Sequence, residues 1–291
     1  MTATLIDGTA LAKQIREALA PRVAAVAKAR GRPPRVVIFS AAQTHEAKAY
    51  VNGTVKACGG VGIEASVEEL APSITQAELL RRLRRVQADA KVDAVIVDMP
   101  LPSGIDPEAV TAVLDASKDA EGVASTNLGR LFAAKTFAEI QAQGIPTPCT
   151  ALAVAALLRS AAGPLAGKRA VVVGRSTIVG KPAAHLLCSL DMTVTLCHSR
   201  TADLAEELLR ADVVVACLGK AKFIKGEWLK PGAVILDAGT NDEAGKLVGD
   251  VDFASAKERA GAITPVPGGV GPVTMALLLS NIVSLAEGRR A

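Results

Sequence analysis

Short apolar runs rich in β-branched residues alternate with stretches of helical periodicity along nearly the whole chain. In the first half, strand-like runs at 35–40 and 92–98 are separated by helical patterns at 44–58 and 75–88. The second half repeats this alternation, with apolar runs at 170–173, 192–197, 213–217 and 234–237. Strands that alternate with helices are typical of a mostly parallel sheet covered by helices. The chain is therefore predicted to be an α/β protein.

One junction between a strand and a helix resembles an anion-binding loop. Gly174, Arg175 and Ser176 interrupt the apolar run at 170–173, and Gly180 opens a helical pattern. Free N–H groups and the positive end of the helix dipole attract an anion at such a junction. The dinucleotide fingerprint is G-x-G-x-x-G, whereas here Ser176 replaces the second glycine and the last glycine comes one residue late. A dinucleotide site and an ordinary strand-to-helix turn both fit this spacing.

The residues after the next strand indicate which dinucleotide would bind. An NAD site places an acidic residue there, to bind the ribose hydroxyls. This chain instead has His198-Ser199-Arg200-Thr201, with Arg175 in the preceding loop. Two guanidinium groups and a hydroxyl suit the additional 2′-phosphate of NADP, because arginine binds phosphate bidentately. We therefore expect NADP as the cofactor, with a solvent-exposed Arg200 at a helix start as the alternative.

Composition excludes several classes of protein. The net charge is only +4 and aromatic residues make up 2% of the 291 residues, which argues against a nucleic-acid partner. We expect neither a membrane span nor a signal peptide, because the sequence shows no apolar stretch long enough for the first and no basic segment followed by a long apolar run for the second. Five scattered cysteines without a C-x-x-C pair, and three histidines, argue against a metal site. Such unpaired thiols are typical of the cytoplasm, where we expect the protein to reside.

Proline and glycine mark the organisation of the chain. Prolines at 146 and 148 precede a helical pattern at 150–160, so we predict a first domain over 1–147 and a second over 148–271. The second ends in a loop at 262–274 that is rich in proline and glycine, and such loops often allow a ligand to approach the backbone closely. The apolar helix that follows, within 272–291, is predicted to return to the first domain.

Together these segments resemble the bifunctional methylenetetrahydrofolate dehydrogenase/cyclohydrolase family. The segments that carry the resemblance follow family order over nearly the whole length: Ile6-Asp7-Gly8, Tyr50-Val51, Pro100-Leu101-Pro102, Gly104-Ile105, Lys118-Asp119, Pro148-Cys149-Thr150, 174–182, 198–201 and 264–272. The resemblance implies two α/β domains with a cleft between them, the second a Rossmann-like NADP domain, in a homodimer. The implied reaction transfers hydride from 5,10-methylenetetrahydrofolate to NADP, and a second step hydrates the resulting methenyl cation to 10-formyltetrahydrofolate.

The resemblance also implies which residues form the sites. Those expected to act on the substrate in catalysis are Tyr50, Thr54, Asp98 and Glu121. Those expected to bind a folate-like substrate are Tyr50, Pro100, Leu101, Pro267, Gly268, Gly269 and Pro272. Those expected to bind NADP are Gly174, Arg175, Ser176, Val179, Gly180, His198, Ser199, Arg200 and Thr240.

The substrate side departs from the family pattern. Thr54 stands where the family has the lysine that serves hydration, Asp98 where it has glutamine, and Glu121 where it has the aspartate that holds the pterin ring. A positioned acid–base group accelerates such proton transfers about 10²–10⁴-fold, and a threonine hydroxyl does not titrate near pH 7. On a helix, Lys56 points roughly 200° away from Thr54 and Lys48 about 120° away. We therefore expect dehydrogenase activity with a weak or absent cyclohydrolase step.

Four alternatives to this expectation stay open. Asp98 and Glu121 could share one pocket, where two neighbouring carboxylates raise the pKa of one of them, which would supply another base for hydration. They could instead recognise a different one-carbon or imine substrate, or each could lie on the surface at the end of a strand or loop. The last alternative is a non-enzymatic relative that only binds NADP.

Overall fold

The structure, a computed structural model, describes the backbone of residues 2–41 and 45–288, and the side chains of 45–47, 49 and 50 also lie outside the described part. The strands are β1 (Thr4–Leu5), β2 (Arg35–Ser40), β3 (Glu64–Glu69), β4 (Ala94–Val97), β5 (Arg169–Val173), β6 (Thr193–Cys197), β7 (Val213–Ala216), β8 (Val234–Asp237), β9 (Asn241–Glu243), β10 (Lys246–Val248) and β11 (Ala262–Ile263). The helices are α1 (Gly8–Arg30), α2 (His45–Gly60), α3 (Gln76–Ala88), α4 (Pro107–Val113), α5 (Ser125–Ala133), α6 (Phe137–Ala142), α7 (Cys149–Ala161), α8 (Gly180–Ser189), α9 (Leu204–Leu209), α10 (Phe253–Lys257) and α11 (Val270–Ala286). The predicted α/β fold is confirmed.

The chain forms two compact units, each assembled from separate segments. One contains Met1–Lys13, Phe132–Ala142 and Pro148–Leu277, and we call it the large-sheet unit. The other contains Gln14–Leu131, Gln143–Thr147 and Leu278–Ala291, and we call it the small-sheet unit. This division differs from the predicted 1–147 and 148–271 domains, because the N-terminal residues pair with the sheet of the large-sheet unit.

The large-sheet unit is built on six parallel strands in the order β1-β11-β8-β7-β5-β6. β5 lies between the edge strand β6 and β7, so that Val172 pairs with Leu196 of β6 on one side and Val215 of β7 on the other. Val172 and Val215 are fully buried, which is typical of a parallel sheet covered by helices on both faces. Chain connections leave β5 in opposite directions at this point, the feature of doubly wound dinucleotide-binding folds.

The small-sheet unit has a parallel sheet in the order β3-β2-β4. Helix α3 covers it with Leu79, Leu83 and Val86, which are buried at the i, i+4, i+7 spacing of one helix face. Thr75 caps this helix by accepting a hydrogen bond from the N–H of Glu78 at 3.2 Å. The unit thus buries its apolar core around β2 and β4.

The end of α11 packs within the small-sheet unit, which confirms the predicted return of the last helix. Arg22 donates to the carboxylate of Glu287 at 2.9 Å and to the hydroxyl of Ser284 at 2.8 Å. Asn281 donates its amide to the carbonyl oxygen of Ala120 at 2.9 Å. Among the described residues, none of the helices is long and apolar enough to cross a membrane.

Candidate active site

The loops that follow β5, β6 and β7 meet at one edge of the large sheet, because carboxyl ends of parallel strands lie on the same side. They contain the residues predicted at 174–180 and 198–201, while Thr240 follows β8 at the same edge and is exposed. In open α/β sheets a ligand binds outside the carboxyl ends of the strands, where the chain direction switches. The fold thus brings the predicted cofactor residues to the expected edge of one sheet.

The loop between β5 and α8 is tightly packed on its neighbours. Gly174 has φ +125°, and a Cβ there would lie 2.2 Å from the carbonyl oxygen of Cys217. A Cβ at Gly180 would lie 2.0 Å from the carbonyl oxygen of Gly174. Both positions therefore require glycine, as in a loop that brings its backbone close to a bound phosphate.

Ser176, which replaces the second glycine of the dinucleotide fingerprint, has a structural role in the loop. Its hydroxyl oxygen accepts hydrogen bonds from the N–H groups of Val179 and Gly180, both at 3.2 Å. The serine therefore holds the turn that precedes α8, whose N-cap residue is Val179. Arg175 and Ser176 are both exposed at the surface of this loop.

The loop after β6 is a turn held by its own residues. The N–H of His198 donates to the hydroxyl of Thr201 at 2.9 Å, and the N–H of Arg200 donates to Nδ1 of His198 at 3.1 Å. Ser199 and Arg200 are left exposed, and residues 198–201 include no carboxylate. A hydroxyl and a guanidinium without an opposing acid form a donor set that fits a phosphate group. The fit favours NADP over NAD.

The loop after β11 carries the predicted substrate residues of the large-sheet unit. Pro267 is exposed, and Gly268 adopts φ +106°, a conformation that favours glycine. A Cβ at Gly8 would lie 1.8 Å from the carbonyl oxygen of Gly269, so the two glycines allow the loop to pack on the start of α1. Pro272 lies in the first turn of α11 and is half-buried.

Two polar residues of the small-sheet unit, Ser40 and Asp98, lie at the carboxyl ends of β2 and β4, and a third, Glu121, lies in the segment before α5. Ser40, the last residue of β2, donates its hydroxyl to the carboxylate of Asp98 at 3.0 Å. Asp98 directly follows β4 and is half-buried, and this burial raises its pKa. Glu121 is also half-buried, and its pKa is raised to about 8 by desolvation and by the charges of Asp119 and Asp98. The charge of Asp98 thus contributes to raising the pKa of Glu121.

The helix α2 carries the position that the resemblance assigns to a lysine. Thr54 is only 3% exposed, whereas Lys48 and Lys56 are exposed, in keeping with their predicted directions. Tyr50 lies on the same helix, but its side chain is outside the described residues. Pro100 is exposed and Leu101 half-buried after β4.

Two buried carboxylates at the edge of the large sheet are not distinguished by any sequence motif. Asp237 ends β8 with 4% exposure, and Asp250 has none. Burial, opposed by hydrogen bonds from three N–H groups, raises the pKa of Asp237 to about 6. The one signal in the sequence is that each acid lies within two residues of a glycine, Gly239 or Gly249. Among the described residues, no group of three or more His, Cys, Asp or Glu side chains is arranged to hold a metal.

Comparison with known families matches both parts of the chain. The model described as tetrahydrofolate dehydrogenase/cyclohydrolase, NAD(P)-binding domain, matches residues 148–290. The model of the catalytic domain of the same family matches residues 6–121.

Similar proteins cover the chain almost completely. The bifunctional protein FolD of Anaeromyxobacter dehalogenans is 46% identical over 97% of this chain and 98% of its own, and that of Rhodospirillum rubrum is 43% identical over 100% and 99%. The crystal structure of FolD from Campylobacter jejuni is similar with a TM-score of 0.91 and 35% identity, covering 99% of both chains. The Trypanosoma brucei methylenetetrahydrofolate dehydrogenase-cyclohydrolase, solved with NADP cofactor and inhibitor, has a TM-score of 0.90 and 36% identity over 99% of this chain and 98% of its own.

Proposed function

Because the chain belongs to the tetrahydrofolate dehydrogenase/cyclohydrolase family, we propose that it oxidises 5,10-methylenetetrahydrofolate to the 5,10-methenyl compound with NADP. The observation that carries this proposal is the packing of Gly174 on Cys217, beside the exposed residues Arg175 and Arg200. This packing supports a phosphate-binding role for the loop at the carboxyl edge of the sheet, and the two exposed arginines support binding of an anionic cofactor. The protein is therefore an NADP-dependent dehydrogenase.

We assign the two phosphate-bearing parts of NADP to two different loops. When bound, NADP supplies the hydride acceptor. The 174–180 loop, which includes Val179 at the start of α8, would bind the pyrophosphate through its backbone. Ser199, Arg200 and Arg175 bind the 2′-phosphate, His198 holds their turn through its backbone and ring, and Thr240 completes the site at the end of β8. Hydride transfer requires no side-chain base, so these residues act by binding and orientation.

The substrate side binds the folate through the remaining predicted residues. Tyr50 stacks on the pterin ring, a normal role for an aromatic side chain. Glu121 and Asp98 face the polar edge of that ring, whose amino and amide N–H groups are donors for a carboxylate. The remaining contacts to the folate come from Pro100, Leu101, Pro267, Gly268, Gly269 and Pro272.

The hydration step is proposed to be weak or absent. Thr54 is buried and its hydroxyl does not ionise near neutral pH, while Lys48 and Lys56 are both exposed. The one observation that favours retained cyclohydrolase activity is the pKa of Glu121, raised to about 8, because a general acid–base group works best near the ambient pH. The Asp98–Glu121 pair is therefore the second candidate for this chemistry.

Two assays test these proposals on purified protein. Rising absorbance at 340 nm with NADP and methylenetetrahydrofolate reports the dehydrogenase, and binding of NADP without folate turnover would instead indicate a non-enzymatic relative. Turnover of another imine or one-carbon adduct in preference to the folate would indicate an offshoot. The second assay follows hydrolysis of the methenyl compound in wild type and Thr54→Lys, and hydrolysis by wild type far above the buffer rate would contradict the loss of cyclohydrolase activity.

The remaining proposals concern assembly and location. Strand β6 lies at the edge of the large sheet, with Thr193, Thr195 and Leu196 exposed, so it offers a backbone edge to a second copy of the chain. We expect a homodimer, which sedimentation would test. The five scattered cysteines form no C-x-x-C pair, a pattern that fits a cytoplasmic protein.

A further inference from the structure

The carboxylate of Asp250 holds a backbone turn at the carboxyl edge of the large sheet. It accepts hydrogen bonds from the N–H groups of Leu218, Gly219 and Lys220 at 2.7, 3.0 and 2.8 Å. A fourth comes from the side-chain amide of Asn241 at 2.9 Å. Four donors satisfy the hydrogen-bonding capacity of this buried carboxylate. The turn at 218–220 is thus fixed by one side chain that lies about thirty residues further along the chain.

A second carboxylate holds the segment from which Asp250 projects. Asp237 accepts hydrogen bonds from the N–H groups of Gly239, Asp250 and Val251 at 2.9, 3.0 and 2.9 Å. Its own N–H donates to the hydroxyl of Thr264 at 2.8 Å. The two acids therefore act in series, since Asp237 orients Asp250 and Asp250 orients the turn.

Two glycines leave no space for this arrangement to shift. A Cβ at Gly249 would lie 1.9 Å from a carboxylate oxygen of Asp237. A Cβ at Gly239 would lie 2.3 Å from the carboxyl carbon of Asp250. Each carboxylate is thus packed against the backbone of a glycine, and close packing of this kind permits few alternative positions.

The turn is joined directly to the phosphate-binding loop. Cys217 precedes Leu218, and its carbonyl oxygen is the atom against which Gly174 packs. The thiol of Cys217 also donates to the carbonyl oxygen of Val173 at 3.3 Å. Gly180 in turn packs on the carbonyl oxygen of Gly174. A displacement of the 218–220 turn would therefore displace the loop that binds the pyrophosphate.

From these contacts we infer that Asp250 is a positioning residue for NADP, acting through the 218–220 turn and Cys217 on the Gly174 loop. The inference rests on the proposed function, because it names how that same cofactor site is held. All three backbone donors to Asp250 lie in one loop beyond the end of β7, and none lies in a strand. The Asp250 side chain therefore orders the loop at the edge of the sheet where the ligand is proposed to bind. The strands themselves are held by the hydrogen bonds between them.

The test compares Asp250→Asn with Asp252→Asn, by calorimetric titration of each purified full-length protein with NADP. Asparagine keeps the volume of Asp250 but turns an N–H₂ group towards backbone donors. Asp252 lies two residues on, is half-buried and pairs with Lys225 at 3.4 Å, away from the 218–220 turn. We expect Asp250→Asn to raise the Kd for NADP about ten-fold or more, since small misplacements of binding groups are costly. Asp252→Asn should leave the Kd within about two-fold, because it removes none of the hydrogen bonds that hold the 218–220 turn.

A second measurement and a milder variant keep the inference testable if Asp250→Asn fails to fold. Without ligand, the amides of 218–220 should exchange hydrogen faster in Asp250→Asn than in wild type. Asn241→Ala removes one of the four donors and should raise the Kd by a few-fold, about the effect of one hydrogen bond. A lower Tm with unchanged Kd and unchanged exchange would overturn the inference and leave the proposed function standing. Wild type that fails to bind NADP would overturn both.

Discussion

Gly174 and Cys217 lie so close together that a Cβ on the first would come within 2.2 Å of the carbonyl oxygen of the second. Because Gly174 also has φ +125°, no other residue fits this position without moving the backbone. This contact joins the loops after two neighbouring strands and sets how near they lie at the edge of the sheet. The first prediction follows from it.

Gly174→Ala should weaken NADP binding at least about ten-fold and lower the free energy of unfolding by about 2–4 kcal/mol, because the added methyl group and the strained φ both oppose the native loop. Calorimetric titration and urea denaturation measure the two effects. The control is Gly163→Ala, since a Cβ at Gly163 meets nothing within 4 Å. Wild-type affinity in Gly174→Ala would show that the loop does not determine cofactor binding.

Arg200→Ala should weaken NADP binding about 10–100-fold, because a hydrogen bond to a charged group contributes about 1.5–3 kcal/mol. Binding of NAD should change little, since NAD lacks the 2′-phosphate that the arginine is proposed to bind. Arg210→Ala is the matched control, because that exposed arginine bonds Glu206 on the surface of α9. Equal losses for both dinucleotides would place Arg200 outside the phosphate site.

Glu121→Gln should remove a pH dependence of stability. The pKa of Glu121 is raised to about 8, so the folded protein binds this proton more tightly than the unfolded chain does. For an acid with a raised pKa, the native state therefore loses stability as pH rises from about 5 towards 8, by a few kcal/mol in total. The neutral glutamine should leave the variant progressively more stable than wild type over this range.

Unfolding in urea at pH 5.5 and pH 9 measures that difference. Glu108→Gln serves as the control, because Glu108 is an exposed acid in the first turn of α4. An equal gap between wild type and Glu121→Gln at the two pH values would show that the Glu121 carboxyl ionises normally. The charges that face it, Asp119 and Asp98, contribute to the same shift.

Asp98→Asn should lower kcat for folate oxidation about ten-fold or more, while the Kd for NADP stays within about two-fold. The carboxylate lies with Ser40 and Glu121 in the small-sheet unit, and the dinucleotide residues all lie in the large-sheet unit. Removing the Asp98 charge should also lower the pKa of Glu121, because that charge contributes to raising it. Steady-state kinetics and calorimetric titration separate the two effects, and equal losses in turnover and NADP affinity would contradict the assignment.

Much of the fold could be predicted from local patterns. Strand β5 follows from its β-branched apolar run, and α3 from the spacing of Leu79, Leu83 and Val86 behind a Thr75 cap. Strands β1 and β11 were missed because two residues are too few to show a period, and they pair across more than 250 positions of the chain. The same pairing brings the N-terminal residues into the large-sheet unit, which no local pattern in the sequence indicates.

The sequence by itself determined the alternation of the longer strands and helices, the glycine-containing loop at Gly174 and the absence of an acid directly after β6, since each depends on neighbouring residues. Only the tertiary structure decided that Asp237 and Asp250 are buried and that Asp250 holds the 218–220 turn. It also decided that Asp98 raises the pKa of Glu121. The physical reason is the same in each case: burial, hydrogen-bond partners and ionisation are set by groups that are distant along the chain and adjacent in space.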